Sequence, residues 1–229
     1  MINKSYNQGN FFWDQFKKEA EGIGVALTDE AIDRFSLYLE ELKTWNKKIN
    51  LFSRKDDQEI MVKDFLDSLT VCKHLPSRTS ILDIGSGGGF PGIPIKISRR
   101  DLRVVLLEIR TKKIFFLRNM VRVLGMRNLE VMESGHEKKE KVDFIVSRAF
   151  GSLIKLAETA GPYIKRDGVV ISMKGRKGEE ELSGELSNLK KKGWVPFFIE
   201  HLKLPVIEHG RVLIGLRQDV SRETSCKDP

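Results

Sequence analysis

Ile81-Leu82-Asp83-Ile84-Gly85-Ser86-Gly87-Gly88-Gly89-Phe90-Pro91-Gly92 is the stretch whose reading decides the fold. A short apolar run holds one acidic residue, Asp83, and passes into a glycine-rich loop. A buried parallel strand meets a ligand loop in this way, because the backbone must turn sharply and approach the ligand with no Cβ in between. A bare turn without a ligand is the plain alternative. It would bear the backbone entropy of several clustered glycines with no compensating contact.

Two adenine-bearing cofactors sit on such loops. A nicotinamide dinucleotide wants G-x-G-x-x-G opening a helix, so that its pyrophosphate meets the helix N-terminus. Gly85 and Gly87 supply the first two glycines, but Phe90 fills the third position and Pro91 follows. An aromatic there obstructs close helix–strand packing. S-adenosylmethionine has no phosphate; it needs room for its methionine part and a carboxylate for its ribose hydroxyls. Glu108 ends the next apolar run, Val104 to Leu107, about 20 residues beyond the loop, and suits either cofactor. The loop favours S-adenosylmethionine, with a nicotinamide oxidoreductase as the competing reading.

Outward from the loop, strands and helices alternate. Strands are expected at 81–84, 103–107, 129–132, 142–146 and 168–173. Helices are expected at 90–100, 112–124, 153–164 and 179–192, with an antiparallel pair at 194–202 and 211–216. Ile114, Phe115, Leu117 and Val121 are expected to be buried, and Gly125 to stop their helix. Such alternation predicts a mostly parallel sheet covered on both faces. Residues 1–75 read as a helical extension. Thr28 can cap a helix with Asp29 and Glu30 in its first turn, and Ile32, Phe35, Leu39, Leu42 and Ile49 recur at helical spacing. Val62, Phe65, Leu66 and Leu69 share one face of a second segment. The division is therefore 1–75 extension, 76–217 Rossmann-like domain and 218–229 polar tail.

The 229 residues suffice for one sizeable core plus an extension. No apolar run approaches the roughly 20 residues of a membrane span, and Met1 to Asn10 lacks the apolar core of a secretory signal. Cys72 and Cys226 are far apart and fit no metal pattern, so a reducing cytoplasm and no metal are expected. The net charge of +8 favours a polyanionic partner or simply a solubilising surface. Basic residues gather at Arg99-Arg100, from Arg110 to Lys113 and from Lys174 to Lys177. The last two groups follow strand carboxyl ends, where open α/β sheets bind ligands.

Beyond the loop, four segments are distinctive. They are Asn50-Leu51-Phe52-Ser53 with Val62 to Leu69; Lys112-Lys113 with Phe116-Leu117; Ser147-Arg148-Ala149-Phe150; and Met173-Lys174-Gly175. With the loop they span about residues 28 to 217 and resemble the bacterial glucose-inhibited division protein B family, the 16S rRNA guanine-N7 methyltransferases. In that family a histidine often stands at the position of Asp64, and Ala-Glu at that of His136-Glu137. The resemblance implies a class I S-adenosylmethionine-dependent methyltransferase fold with seven strands and an N-terminal helical extension. It implies methylation of one guanosine in the 530 loop of 16S rRNA, free or in the small ribosomal subunit. It also implies cofactor contacts at Gly85, Phe90, Glu108, Ile109, Arg110, His136, Glu137 and Arg148, beside the Asp83 and Gly87 of the loop itself.

Guanine N7 has a lone pair and no proton, so it needs alignment rather than a base. The Ser147-Arg148-Ala149-Phe150 segment agrees, since it offers no Asn/Asp-Pro-Pro-aromatic motif and no cysteine pair. Arg148 is assigned positioning through its paired N–H donors. Lys112, Lys113 and Lys174 are candidate phosphate contacts or solvated charges, and Phe150 either stacks on a flipped base or packs. Asp67 and Ser68 are candidate links between the extension and the cofactor floor. Nothing demands more than a monomer. A methyltransferase for another RNA, a protein or a small molecule stays open, as does a non-catalytic RNA-binding module.

Overall fold

The computed structural model describes residues 3–53, 56–133, 135, 140–204 and 210–219, with side chains from Phe11 onward. His136, Glu137 and nearly all of the polar tail, Cys226 included, lie outside the described residues. Seven strands form one sheet: β1 (Ser80–Ile84), β2 (Arg103–Glu108), β3 (Leu129–Glu133), β4 (Val142–Arg148), β5 (Ile164–Gly175), β6 (Trp194–Leu202) and β7 (Arg211–Gln218). Their order is β3-β2-β1-β4-β5-β7-β6. The first five run parallel, and β7 enters antiparallel between β5 and β6.

Alternation along the strands divides the core in two. Ile81, Val104, Leu106 and Val146 face one side, where α4 (Gly92–Ser98) and α5 (Thr111–Leu124) pack. Leu82, Val105, Leu107 and Ile145 face the other, against α6 (Leu153–Ala160) and α7 (Gly178–Lys191). The extension continues the first of these cores without a break: Phe16, Phe35 and Phe65 belong to the same buried cluster as Ile81 and Val104. It consists of α1 (Asn3–Gly22), α2 (Asp29–Asn46) and a composite helix, α3, from Asp57 to His74. The Thr28 hydroxyl caps α2 by accepting from the Ala31 N–H at 3.2 Å.

Within α3 the hydrogen-bonding changes register. An α turn (Asp57–Ile60) leads into a π-helical stretch (Met61–Leu66), a short α turn (Asp67–Leu69) and a 3-10 turn (Thr70–His74). Nearly every residue from Ile60 to Cys72 is buried, among them Asp64, Asp67 and Ser68. A π turn inside a helix is rare and is found mostly at functional sites; this one presents Asp64.

Two expectations are corrected. The helix foreseen at 153–164 ends at Ala160, because Pro162 has no N–H with which to continue the helical ladder; Ile164 already belongs to β5. Phe115, expected inside, is 57% exposed, while Phe116 is fully buried and Val121 only partly. The 3.6-residue period turns Ile114, Phe116, Leu117, Met120 and Leu124 inward and leaves Phe115 on the opposite side. Gly125 stops α5 as expected, at φ 57°.

Phe65 holds the extension together. Its ring stacks on Tyr38 at 5.4 Å between centroids and meets Phe35 at 5.1 Å, Phe16 at 6.0 Å and Phe90 of the glycine loop at 6.1 Å. Phe65→Ala should cost about 3–5 kcal/mol of stability, a loss that urea unfolding will measure.

Candidate functional site

In the sheet order, strand direction of growth reverses between β1 and β4, so the crevice beyond their carboxyl ends is the topological switch point. The glycine loop lies there. Gly85, Gly87 and Gly89 take φ values of 77°, 58° and 94°, which only glycine adopts without strain. Backbone bonds set the loop on its neighbours: the N–H groups of Gly85 and Ser86 both donate to the Leu107 carbonyl, at 2.9 and 3.1 Å. A Cβ on Gly89 would stand 2.4 Å from Ile93, and one on Gly85 2.8 Å from the Phe150 ring. At Gly87 a Cβ would meet only ordinary contacts, so a side chain there is opposed by its positive φ and not by a wall.

Two buried carboxylates flank the loop. Asp83 Oδ2 accepts from the Gly92 N–H at 3.0 Å, while Oδ1 is buried with no hydrogen-bond partner among the described residues. Burial pushes its pKa up to about 7, against the pull of the Gly92 N–H and Ser86. Glu108 binds backbone on both sides: Oε2 accepts from Gly87 at 3.0 Å, and Oε1 from Ile109 at 2.8 Å and Arg110 at 2.9 Å. The Ile109 side chain is 70% exposed, and Lys112 is exposed. Lys113 Nζ comes within 3.6 Å of where a Gly87 Cβ would stand.

Arg148 is where sequence and geometry part most. Its guanidinium turns into the extension: Nη2 donates to Asp64 Oδ1 at 2.7 Å, and Nη1 to the Lys63 carbonyl at 2.8 Å and more weakly to Asp67 Oδ2 at 3.4 Å. Arg211 Nε, at the start of β7, donates to Asp67 Oδ1 at 3.0 Å. Burial opposes the charge of Arg148, and Asp64 and Asp67 outweigh it, so its pKa is raised. The Arg148 guanidinium also lies 4.8 Å above the Phe90 ring. Phe90 itself is buried against Tyr38, whose hydroxyl donates to the Gly88 carbonyl at 2.5 Å.

Ala149, at φ 58°, is the residue that separates Arg148 from Phe150. Its left-handed backbone lets Arg148 reach the extension and Phe150 pack on Gly85. Beyond it is a depression of about 280 Å³ bordered by Asp67, Arg148, Met173, Lys174 and Arg211. Lys174 Nζ already donates to Glu181 at 2.8 Å and to the Gly151 carbonyl. Tyr38 and Arg211 escaped the sequence reading, and Asp64 entered it only as a position of the signature, without a role. Asp64 and Asp67, three apart around Phe65-Leu66 in a mostly apolar run, were the available signal for a buried cation.

Removing Arg148 leaves two buried carboxylates short of a partner. Arg148→Ala should therefore cost about 3–5 kcal/mol in urea unfolding. Adding Asp64→Asn and Asp67→Asn should recover part of that loss. Asp83 gives a pH signature. Its folded pKa of about 7 exceeds the unfolded value near 4, so its contribution to stability falls as pH rises across that window. Asp83→Asn should flatten this decline in a pH series of unfolding curves.

A family model described as rRNA small subunit methyltransferase G matches residues 31–209. The ribosomal RNA small subunit methyltransferase G of Geotalea uraniireducens is 38% identical over 204 residues, 87% of this chain and 93% of that one. Its counterpart from Acetivibrio thermocellus is 40% identical over 169 residues, 70% of each chain. Among solved structures, a SAM dependent methyltransferase from Aquifex aeolicus superposes with TM-score 0.54 at 18% identity, covering 78% of this chain and 97% of that one. A methyltransferase from Pyrococcus furiosus gives 0.55 at 17% identity, covering 81% and 98%. These distant likenesses establish the class I methyltransferase fold, and the closer sequence relatives establish descent: the chain belongs to the rRNA small subunit methyltransferase G family.

Proposed function

We propose that this protein transfers a methyl group from S-adenosylmethionine to N7 of one guanosine in the 530 loop of 16S rRNA. The observation that carries the reading is the glycine loop at the switch point, flanked by the buried carboxylates Asp83 and Glu108. The family to which the chain belongs supports small-subunit rRNA as the acceptor molecule.

The residues fit the cofactor. Asp83 Oδ1, buried and without a hydrogen-bond partner among the described residues, suits the ammonium of the methionine part. Glu108 uses three of about four acceptor positions on backbone N–H groups, so a ribose hydroxyl would share the carboxylate or displace Gly87. The exposed Ile109 side chain offers an apolar face to adenine, and the glycines let backbone approach closely. Gly85, Gly87, Phe90, Arg110, His136 and Glu137 complete the proposed binding set, with Phe90 acting from behind the loop. When bound, S-adenosylmethionine supplies an electrophilic methyl group on a sulfonium.

This chain's own work is alignment. N7 attacks through its lone pair and has no proton to lose. At the end of β4 the Ser147 hydroxyl donates to the Ile84 carbonyl at 2.7 Å. Arg148 is cationic, and Ala149 and Phe150 carry no basic group. Asp64 and Asp67 are engaged by Arg148 and Arg211. Positive charge grows on the base during transfer, so a guanidinium directed away from the acceptor avoids repelling it. Arg148 is thus a positioning residue that fixes the extension to the acceptor edge. Phe150 presents an aromatic ring to a flipped base. Lys112 and Lys113 meet phosphates, and Lys174 does so by exchanging Glu181. The partner is 16S rRNA or the small subunit, and the acting form is a cytoplasmic monomer. Among the described residues no helix is long and apolar enough to cross a membrane.

The test uses small ribosomal subunits that lack the modification, methyl-labelled S-adenosylmethionine and mapping of 7-methylguanosine. Label at a single 530-loop guanosine is expected. Label at another nucleotide, or none despite cofactor binding, would overturn the acceptor assignment.

A further inference from the structure

We propose that Phe115 is a stacking platform for an unpaired rRNA base other than the methylated one. The proposal rests on the reading of this chain as an rRNA methyltransferase and adds a residue to its substrate surface. Helix α5 begins at Thr111, three residues past the end of β2 at Glu108, so its first turns stand on the rim of the ligand crevice. Phe115 lies one turn in, about 6 Å along the axis from Thr111. It is 57% exposed on a helix whose other large apolar residues, Ile114, Phe116, Leu117, Met120 and Leu124, are buried.

The surroundings of this ring are basic. Lys112, Arg118 and Arg122 lie three before, three after and seven after Phe115, which places all of them on its side of the helix. Among the described residues Arg118 holds a 3.6 Å pair with Glu133, and Arg122 donates to the Asn119 side chain at 2.9 Å. Exposed partners of this kind contribute little and exchange readily for a phosphate. An exposed aromatic ring flanked by cations is the arrangement with which proteins hold unpaired nucleotides: the cations follow the backbone and the ring takes a base face. Duplex RNA shows no base face, so the occupant is a loop or bulge nucleotide.

The test is filter binding of small-subunit rRNA to the wild type and to Phe115→Ala, Phe115→Leu and Phe115→Trp, each at several salt concentrations. Phe115→Ala and Phe115→Leu should weaken binding about fivefold or more, and Phe115→Trp should keep it. The slope of affinity against salt should stay unchanged in all three, because the phosphate contacts remain. Lys112→Ala combined with Arg118→Ala should flatten it. Affinity for S-adenosylmethionine should not move in any variant. Wild-type affinity in Phe115→Ala would overturn the proposal. So would full binding by Phe115→Leu, which would make the contact simple apolar packing and not stacking on a base. Methylation of unmodified subunits by the wild type is scored separately. Its failure would refute the proposed reaction and leave the stacking result standing, and the reverse also holds.

Discussion

A guanidinium between two buried carboxylates is the contact on which the rest of the site depends. Arg148, at the last position of β4, reaches Asp64 and Asp67 of α3 across more than eighty residues of sequence, and Arg211 of β7 closes the set from the other side. Such groups are not a cheap source of stability, since an apolar replacement of the whole set would serve as well or better. They contribute geometry. A salt bridge with fixed donors accepts few arrangements, so helix, parallel strand and antiparallel strand meet at one angle and one height. The π-helical stretch from Met61 to Leu66 belongs to the same constraint, because it is the part of α3 that presents Asp64 to the guanidinium.

From this clamp the constraint passes to the glycine loop. The Arg148 guanidinium covers Phe90, Phe90 packs on Tyr38 and Phe65, and Tyr38 donates to the Gly88 carbonyl. A loop of glycines has little shape of its own. This one is held from behind by the extension, from below by Leu107 and Asp83, and at the side by Glu108. The extension is therefore part of the cofactor floor, in one continuous core with the sheet. The same arrangement explains why a phenylalanine stands where a dinucleotide-binding loop needs its third glycine: the ring is an anchor for the loop and not an obstruction to a helix.

The sheet and the loop were legible because their signals are local. Apolar strands, alternating elements and clustered glycines are read within a dozen residues. Where two local signals competed, the reading slipped. Ile114-Phe115-Phe116-Leu117 offers four large apolar residues in a row, and only the packing of α5 decides that Phe115 is the one left outside. Gly161-Pro162 was a stop signal inside a segment whose apolar content suggested a longer helix. The partners of Arg148 were out of reach for another reason. An arginine before a glycine-containing turn carries no mark of which carboxylates it will meet, and its direction is set by the left-handed backbone of Ala149, which no propensity favours. Asp64 and Asp67 belonged to the recognised signature, but their role needs the fold.

Amide hydrogen exchange in the wild type and in Arg148→Ala, followed in residues 61–66 and 85–92, tests the dependence of loop on clamp most directly. The account predicts that protection falls in both segments together, because the loop is held through Phe90 and Tyr38. Loss confined to 61–66, with the glycine loop as protected as before, would contradict it.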